Sequence, residues 1–108
     1  MRIVFLSGAE EDLKVIRRYI VKKFGVETWL DTKAKLKASV GTLKTFPLVG
    51  AVPDELADLG MNQYRQVISG TNRVIYEITP GVIYIHIVCD ARRDMASLLS
   101  RRLLRAVD

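Results

Sequence analysis

The chain has one cysteine, one histidine, one tryptophan and three prolines in 108 residues, and these scarcities remove whole classes of protein. A single Cys89 forbids an internal disulfide, and one cysteine with one histidine cannot supply the ligand cluster of a structural zinc site. No metal and no cofactor are expected. Long apolar runs are missing too: MRIVFLSGAEED meets acidic residues too early for a signal peptide, and no later stretch reaches membrane-spanning length. The expectation is a cytoplasmic chain with no membrane association. Internal repeats and low-complexity segments are absent, and 108 residues fit one domain, 1–108.

What is present is a foldable composition with an excess of positive charge. Apolar residues make up 49% of the chain, enough for one core and more than a disordered segment carries. A domain of this size buries less of its surface than a larger one, so a tight partner can add much to its stability. Seventeen Lys and Arg against twelve Asp and Glu give a net charge of +5, which suits nucleic acid, an anionic membrane or an acidic protein segment. All seven Lys precede Thr45, whereas five of the ten Arg lie between Arg92 and Arg105. Arginine binds carboxylate or phosphate through a planar fork, which makes the C-terminal segment the expected seat of an acidic ligand.

Periodicity gives the element order. Residues 2–6 are apolar on both alternating sets, as in a strand covered on both faces. Ser7 and Glu10 have the spacing of a capping box, and Ala9, Leu13, Ile16, Ile20 and Phe24 follow at helical intervals up to Gly25, a residue suited to a C-cap. Val26, Trp29, Leu30, Leu36, Val40 and Leu43 begin a second helix at once, so the two should form a hairpin. Phe46-Pro47 ends it, and a loop of about fifteen residues follows, long for a domain connection. Residues 54–59 can make one helical turn within that loop. Strands are expected at 63–68, 73–78 and Val82–Asp90, the last two joined by a type II turn at Pro80-Gly81. In the final strand Ile83, Ile85, Ile87 and Cys89 form one alternating set, while Val82, Tyr84, His86 and Val88 form a mixed set that can face a partner. Met95, Leu98, Leu99, Leu103 and Val107 then recur with helical spacing, with Arg101, Arg102 and Arg105 between them. The result is an α+β domain of order β-α-α-β-β-β-α: an N-terminal strand and helical hairpin on a largely antiparallel four-stranded sheet, closed by a basic helix.

That order, together with AEEDL at 9–13, FPLVG at 46–50, Tyr64-Arg65-Gln66, Arg73-Val-Ile-Tyr76 and Ala91-Arg-Arg-Asp94, resembles the ParE/RelE toxin superfamily over essentially the whole length. The ending ARRDMASLLSRRL is more similar to ParE members than to RelE members. The resemblance implies the toxin of a type II toxin–antitoxin module, inhibiting DNA gyrase by binding and neutralised by a ParD-like antitoxin whose acidic C-terminal segment wraps around it in a hetero-oligomer. The RelE branch shares the fold but cleaves messenger RNA on the ribosome, so the fold alone does not decide the activity.

Cleavage of RNA needs a proton acceptor, cations for the phosphate and an acid for the leaving oxygen. Arg65, Arg73 and His86 are the residues that could contribute, but the segment after the last strand offers no Tyr, His, Lys or Glu to complete the set. His86 is more simply a strand histidine packed beside Tyr84, and Arg65 and Arg73 are equally well cross-strand partners of an acid such as Glu77. Cys89, in a set with isoleucines, reads as a buried inert thiol. For contact with an antitoxin or target the candidates are Arg92, Arg93, Arg101, Arg102, Arg105, Trp29 and Tyr84. Asp94 is expected to cap the last helix, and the three helical arginines also fit a solvated face favoured by the helix dipole. Trp29 and Leu30 must point in different directions, leaving one of them exposed. A toxin freed of its antitoxin can also expose an apolar groove that takes an amphipathic helix, or a sheet edge that takes a strand. A plain nucleic-acid-binding module would need aromatics interleaved with its basic residues, and direct nucleic-acid binding is not expected.

Overall fold

A computed structural model describes the backbone of residues 1–107 and the side chains of residues 1–103. Four strands, β1 (Arg2–Phe5), β2 (Tyr64–Ser69), β3 (Asn72–Thr79) and β4 (Val82–Asp90), form one mixed sheet in the order β1-β4-β3-β2. Only β1 runs parallel to its neighbour, pairing with Val82 to Ile85 of β4; the other pairs are antiparallel hairpins. The helices are α1 (Ser7–Phe24), α2 (Val26–Thr42), the single turn α3 (Asp54–Ala57) and α4 (Met95–Val107). The expected order stands, including the turn within the long connection. Among the described residues no helix is long and apolar enough to cross a membrane.

Ser7 does not cap α1. The N-cap is Leu6, in extended conformation and without a side-chain cap, and the Glu10 amide donates to the Leu6 carbonyl. The helix starts one residue earlier than a capping box would allow, because the Leu6 amide still donates to Ile85 as the last bond of the β1 edge. Gly25 alone connects α1 to α2. At φ 101° it occupies backbone space that disfavours a side chain; its amide closes α1 on Ile20 and Val21, and its carbonyl opens α2 by accepting from Trp29. At the other end of the chain Asp94 caps α4 as expected, its carboxylate accepting from the Ser97 amide at 3.5 Å.

The main departure from simple alternation lies in β4. Ile75 pairs with Ile87 and Tyr76 with Ile85, so His86 is an extra residue without a partner on β3, a β-bulge. The bulge resets which face each later side chain takes. Ile83 and Ile85 pack with Ala9, Leu36, Val40 and Leu43 under the helical hairpin, whereas Ile87 and Cys89 pack with Leu56, Met95, Leu98, Leu99 and Leu103 under α3 and α4. The expected single set of Ile83, Ile85, Ile87 and Cys89 is therefore split between two cores on opposite faces. Val88 joins the first core in their place.

Pairing with β1 ends at Phe5 opposite Ile85, so the outer edge of β4 beyond the bulge has no strand to satisfy it. Two charged side chains take that role. Asp12 of α1 accepts the Val88 amide at 3.0 Å, and Arg102 of α4 donates to the His86 carbonyl at 3.1 Å. Arg102 also forms a two-point ion pair with Asp12 at 2.8 and 3.1 Å, largely shielded from solvent. Gly8 makes room for this arrangement, since a Cβ there would collide with the Arg102 guanidinium. Arg102→Met leaves a shielded carboxylate and a strand carbonyl without their cation, and is expected to lower the unfolding free energy by about 2–3 kcal/mol in urea denaturation. Arg101→Met, on the exposed face of the same helix, should change it by no more than about 0.5 kcal/mol.

Candidate partner-binding surface

The three residues considered for RNA cleavage do not converge. Arg65 pairs across the sheet with Tyr76, a member of the core under the hairpin, and so projects from that face. Arg73 pairs with Cys89 and lies on the opposite face, where His86 contacts Tyr64 and Glu77. Each is also engaged within the fold. Arg65 donates to the Gly50 carbonyl at 2.6 Å. Buried Arg73 donates to both carboxylate oxygens of Glu55, at 2.9 and 3.1 Å, and to Gln66 at 2.7 Å, so its ion-pair partner is Glu55 of α3 and not Glu77. His86 lies 3.0 Å from Glu77, and its ring meets Tyr64 edge-on at 5.1 Å, where packing beside Tyr84 was expected. Tyr84 itself is half-buried between Val4 and Glu77.

The remaining candidates separate in the same way. Arg92 holds Asp90 with two side-chain bonds at 3.0 and 2.9 Å and keeps that carboxyl below its ordinary range. Arg93 and Arg101 are exposed, and neither forms an ion pair among the described residues. Arg102 is the brace described above, and the side chain of Arg105 lies outside the described residues. Cys89 is buried, with burial pushing its thiol up to about 11, as an inert thiol requires.

Of the adjacent pair on α2, Leu30 is the exposed member at 55%, while Trp29 is only 9% exposed. The aromatic is not a projecting anchor; it lines a groove. Between α2 and the sheet runs an apolar cleft of about 290 Å³ lined by Phe5, Leu13, Leu36, Val40, Val74 and Val88, with Trp29 at its side. The exposed Lys33 and Lys37 flank it. Phe5, Lys37 and Val40 also line a second depression that continues to the β1 edge past Arg2 and Lys44. Apolar walls with four cations along their length suit an amphipathic segment carrying acidic residues on its outer side. The sequence signalled an apolar groove in general terms; its lysine border could not be located, because it depends on where α2 crosses the sheet.

The structure defines a small α+β domain with an apolar, basic-bordered groove between α2 and the sheet. A family model described as the ParE toxin of the type II toxin–antitoxin system parDE matches residues 3–95, and the chain belongs to that family. Two solved structures share the fold. One is a chain from the chromosomal ParDE system of P. aeruginosa, with TM-score 0.70 and 16% identity, covering 83% of this chain and 95% of that one. The other is a chain of the RelBE2 toxin–antitoxin complex of Mycobacterium tuberculosis, with TM-score 0.56 and 22% identity, covering 82% and 95%. No curated protein gives a significant match.

The Arg73–Glu55 pair makes a prediction about acid stability. The hydrogen bond from Arg73 holds the Glu55 carboxyl below its ordinary value of 4.5, so the folded state binds that proton less readily than the unfolded chain. Its stabilising contribution is complete above pH 4.5 and is lost as the pH falls through the depressed value. Glu55→Gln should therefore lose stability at neutral pH and show a shallower decline in thermal midpoint below pH 4.5 than the unsubstituted chain, read by circular dichroism melts.

Proposed function

We propose that this ParE-family toxin arrests its host by binding DNA gyrase, and that a ParD-like antitoxin neutralises it by laying an acidic, amphipathic C-terminal segment into the groove between α2 and the sheet. The observation that carries the first half is the dispersal of Arg65, Arg73 and His86. Two of them face one side of the sheet and the third faces the other, and both arginines are committed to internal partners. A site for phosphodiester cleavage needs its groups gathered around one phosphate. For the second half, the support is the match between an apolar cleft bordered by Lys33, Lys37, Lys44 and Arg2 and the charge of an acidic segment. On this reading the toxin works in the cytoplasm as part of a toxin–antitoxin hetero-oligomer. Arg93 and Arg101 offer further carboxylate contacts at the C-terminal end.

One observation favours a second reading, ribosome-dependent cleavage of messenger RNA: the His86–Glu77 contact beside Tyr64 is an arrangement that can move a proton. The two readings part in one experiment. Purified gyrase is assayed for plasmid supercoiling with the full chain titrated in, beside a translating extract in which transcript ends are mapped. The expected result is loss of supercoiling, or accumulation of cleaved DNA, with intact transcripts. Codon-spaced transcript ends with unaffected gyrase would replace the gyrase reading by the nuclease one.

A further inference from the structure

The net positive charge of the chain has a single source. Residues 13–24, LKVIRRYIVKKF, contain Lys14, Arg17, Arg18, Lys22 and Lys23 and no acid, while the rest of the sequence balances twelve cations against twelve acids. All five cations are exposed on α1. Lys14, Arg18 and Lys22 stand four residues apart, which places them in one row about 12 Å long. Lys14 bonds Glu11 at 3.2 Å, but none of the other four forms an ion pair among the described residues. Lys23 is held in place without being neutralised: its ammonium donates to the Tyr19 hydroxyl at 3.2 Å and lies 5.4 and 5.6 Å from the Tyr19 and Phe24 ring centres. The acids nearest in sequence flank the stretch. Glu10, Glu11 and Asp12 precede it, with Glu11 taken by Lys14 and Asp12 by Arg102, and Glu27 follows it in α2 beyond Gly25. Beside Tyr19 the Arg92–Asp90 pair adds no net charge.

The helix dipole favours Lys22 and Lys23 in the last turn of α1. It does not account for Arg17 and Arg18, which stand more than a turn from the end. Arg18 also has a like charge four residues away on each side, an arrangement that repels and is relieved when a polyanion lies along it. We propose that this face of α1 is a docking surface for the phosphate backbone of double-stranded DNA. None of the five cations lines either depression of the groove, so the row gives an amphipathic peptide no apolar bed. A duplex needs none. It carries one negative charge about every 1.7 Å of its axis, so a row of this length meets several phosphates, and Lys, Arg and Tyr are the side chains that hold them. Interleaved aromatics serve to stack on the bases of a single strand and are not required for a duplex. The choice of DNA over RNA rests on the gyrase reading above, since that enzyme works on duplex DNA. The row then gives a gyrase-bound toxin a second hold, on the DNA itself.

The test is binding of the full chain to a short fluorescein-labelled DNA duplex, followed by fluorescence anisotropy across a salt series with no gyrase present. Arg18→Glu is expected to bind at least about tenfold more weakly than the unsubstituted chain, with a salt slope shallower by about 1, and Arg18→Gln should fall between the two. Lys35→Glu makes the same change in net charge at an exposed lysine of α2 and should bind as the unsubstituted chain does. Unchanged thermal midpoints for all three variants keep the comparison to binding alone. Equal weakening by Arg18→Glu and Lys35→Glu would show that affinity follows net charge and would overturn the proposal, as would an unsubstituted chain that does not bind the duplex. Tighter binding to an RNA duplex of the same length, or to phosphatidylglycerol vesicles with loss in Arg18→Glu and no DNA binding, would assign the row to that partner and overturn it too. Failure here leaves the gyrase reading standing, because supercoiling inhibition is measured separately. Duplex binding by a chain that does not inhibit gyrase would remove the gyrase reading and keep the row.

Discussion

The structure depends on a single inserted residue in β4 and on how its consequences are satisfied. With His86 bulged out of register, the strand delivers Ile83 and Ile85 to the hairpin side and Ile87 and Cys89 to the α4 side. A regular strand would place all four on one face and leave α4 little to pack against. The bulge falls where β1 stops pairing, so it also leaves backbone groups without a strand neighbour. An unsatisfied strand edge costs more than one hydrogen bond returns, which is why a charged pair from two distant helices is held there. Asp12 and Arg102 join α1, α4 and the β4 edge at one point.

This division of labour explains why Arg65 and Arg73, which look catalytic in the sequence, face opposite sides of the sheet and are held by partners within the fold. Arg73 secures α3 through Glu55, Arg65 holds the loop carbonyl at Gly50, and Arg102 holds α4 to α1. Each is a brace between an element and the sheet. With α4 closing one face, the hairpin face is the one left partly open, and α2 stands over it with lysines outward and Trp29, Leu36 and Val40 inward. The groove on that face is apolar and bordered by Lys33, Lys37, Lys44 and Arg2.

Much of the fold was legible because its signals are local. Helical spacing through Ala9, Leu13 and Ile16, the glycine between the two helices, and strand patterns punctuated by Pro80-Gly81 each act over a few residues. The bulge was not legible, since Ile83, Ile85, Ile87 and Cys89 alternate without a break and the register shift is imposed by the facing strand. The same limit hid the brace residues. Asp12 and Arg102 are separated by 90 positions, and nothing in either neighbourhood marks them as partners. Leu30 and Trp29 could be assigned to different directions from their adjacency alone, but which one faced solvent depended on how α2 sits over β2. For FPLVG the sequence showed a segment of family character, while the residue that holds its backbone, Tyr76, lies more than twenty positions away.

The central claim is that the His86 bulge divides one strand between two cores, and through that division leaves α4 docked on one face and the groove open on the other. Methyl-labelled isoleucine makes it directly observable in solution. Nuclear Overhauser contacts from the Ile85 methyls should reach side chains of the helical hairpin, and those from the Ile87 methyls should reach Met95 and Leu99 of α4. If Ile85 and Ile87 instead share contacts with the same helices, the strand is regular, the two-core division is wrong, and the account of the groove falls with it.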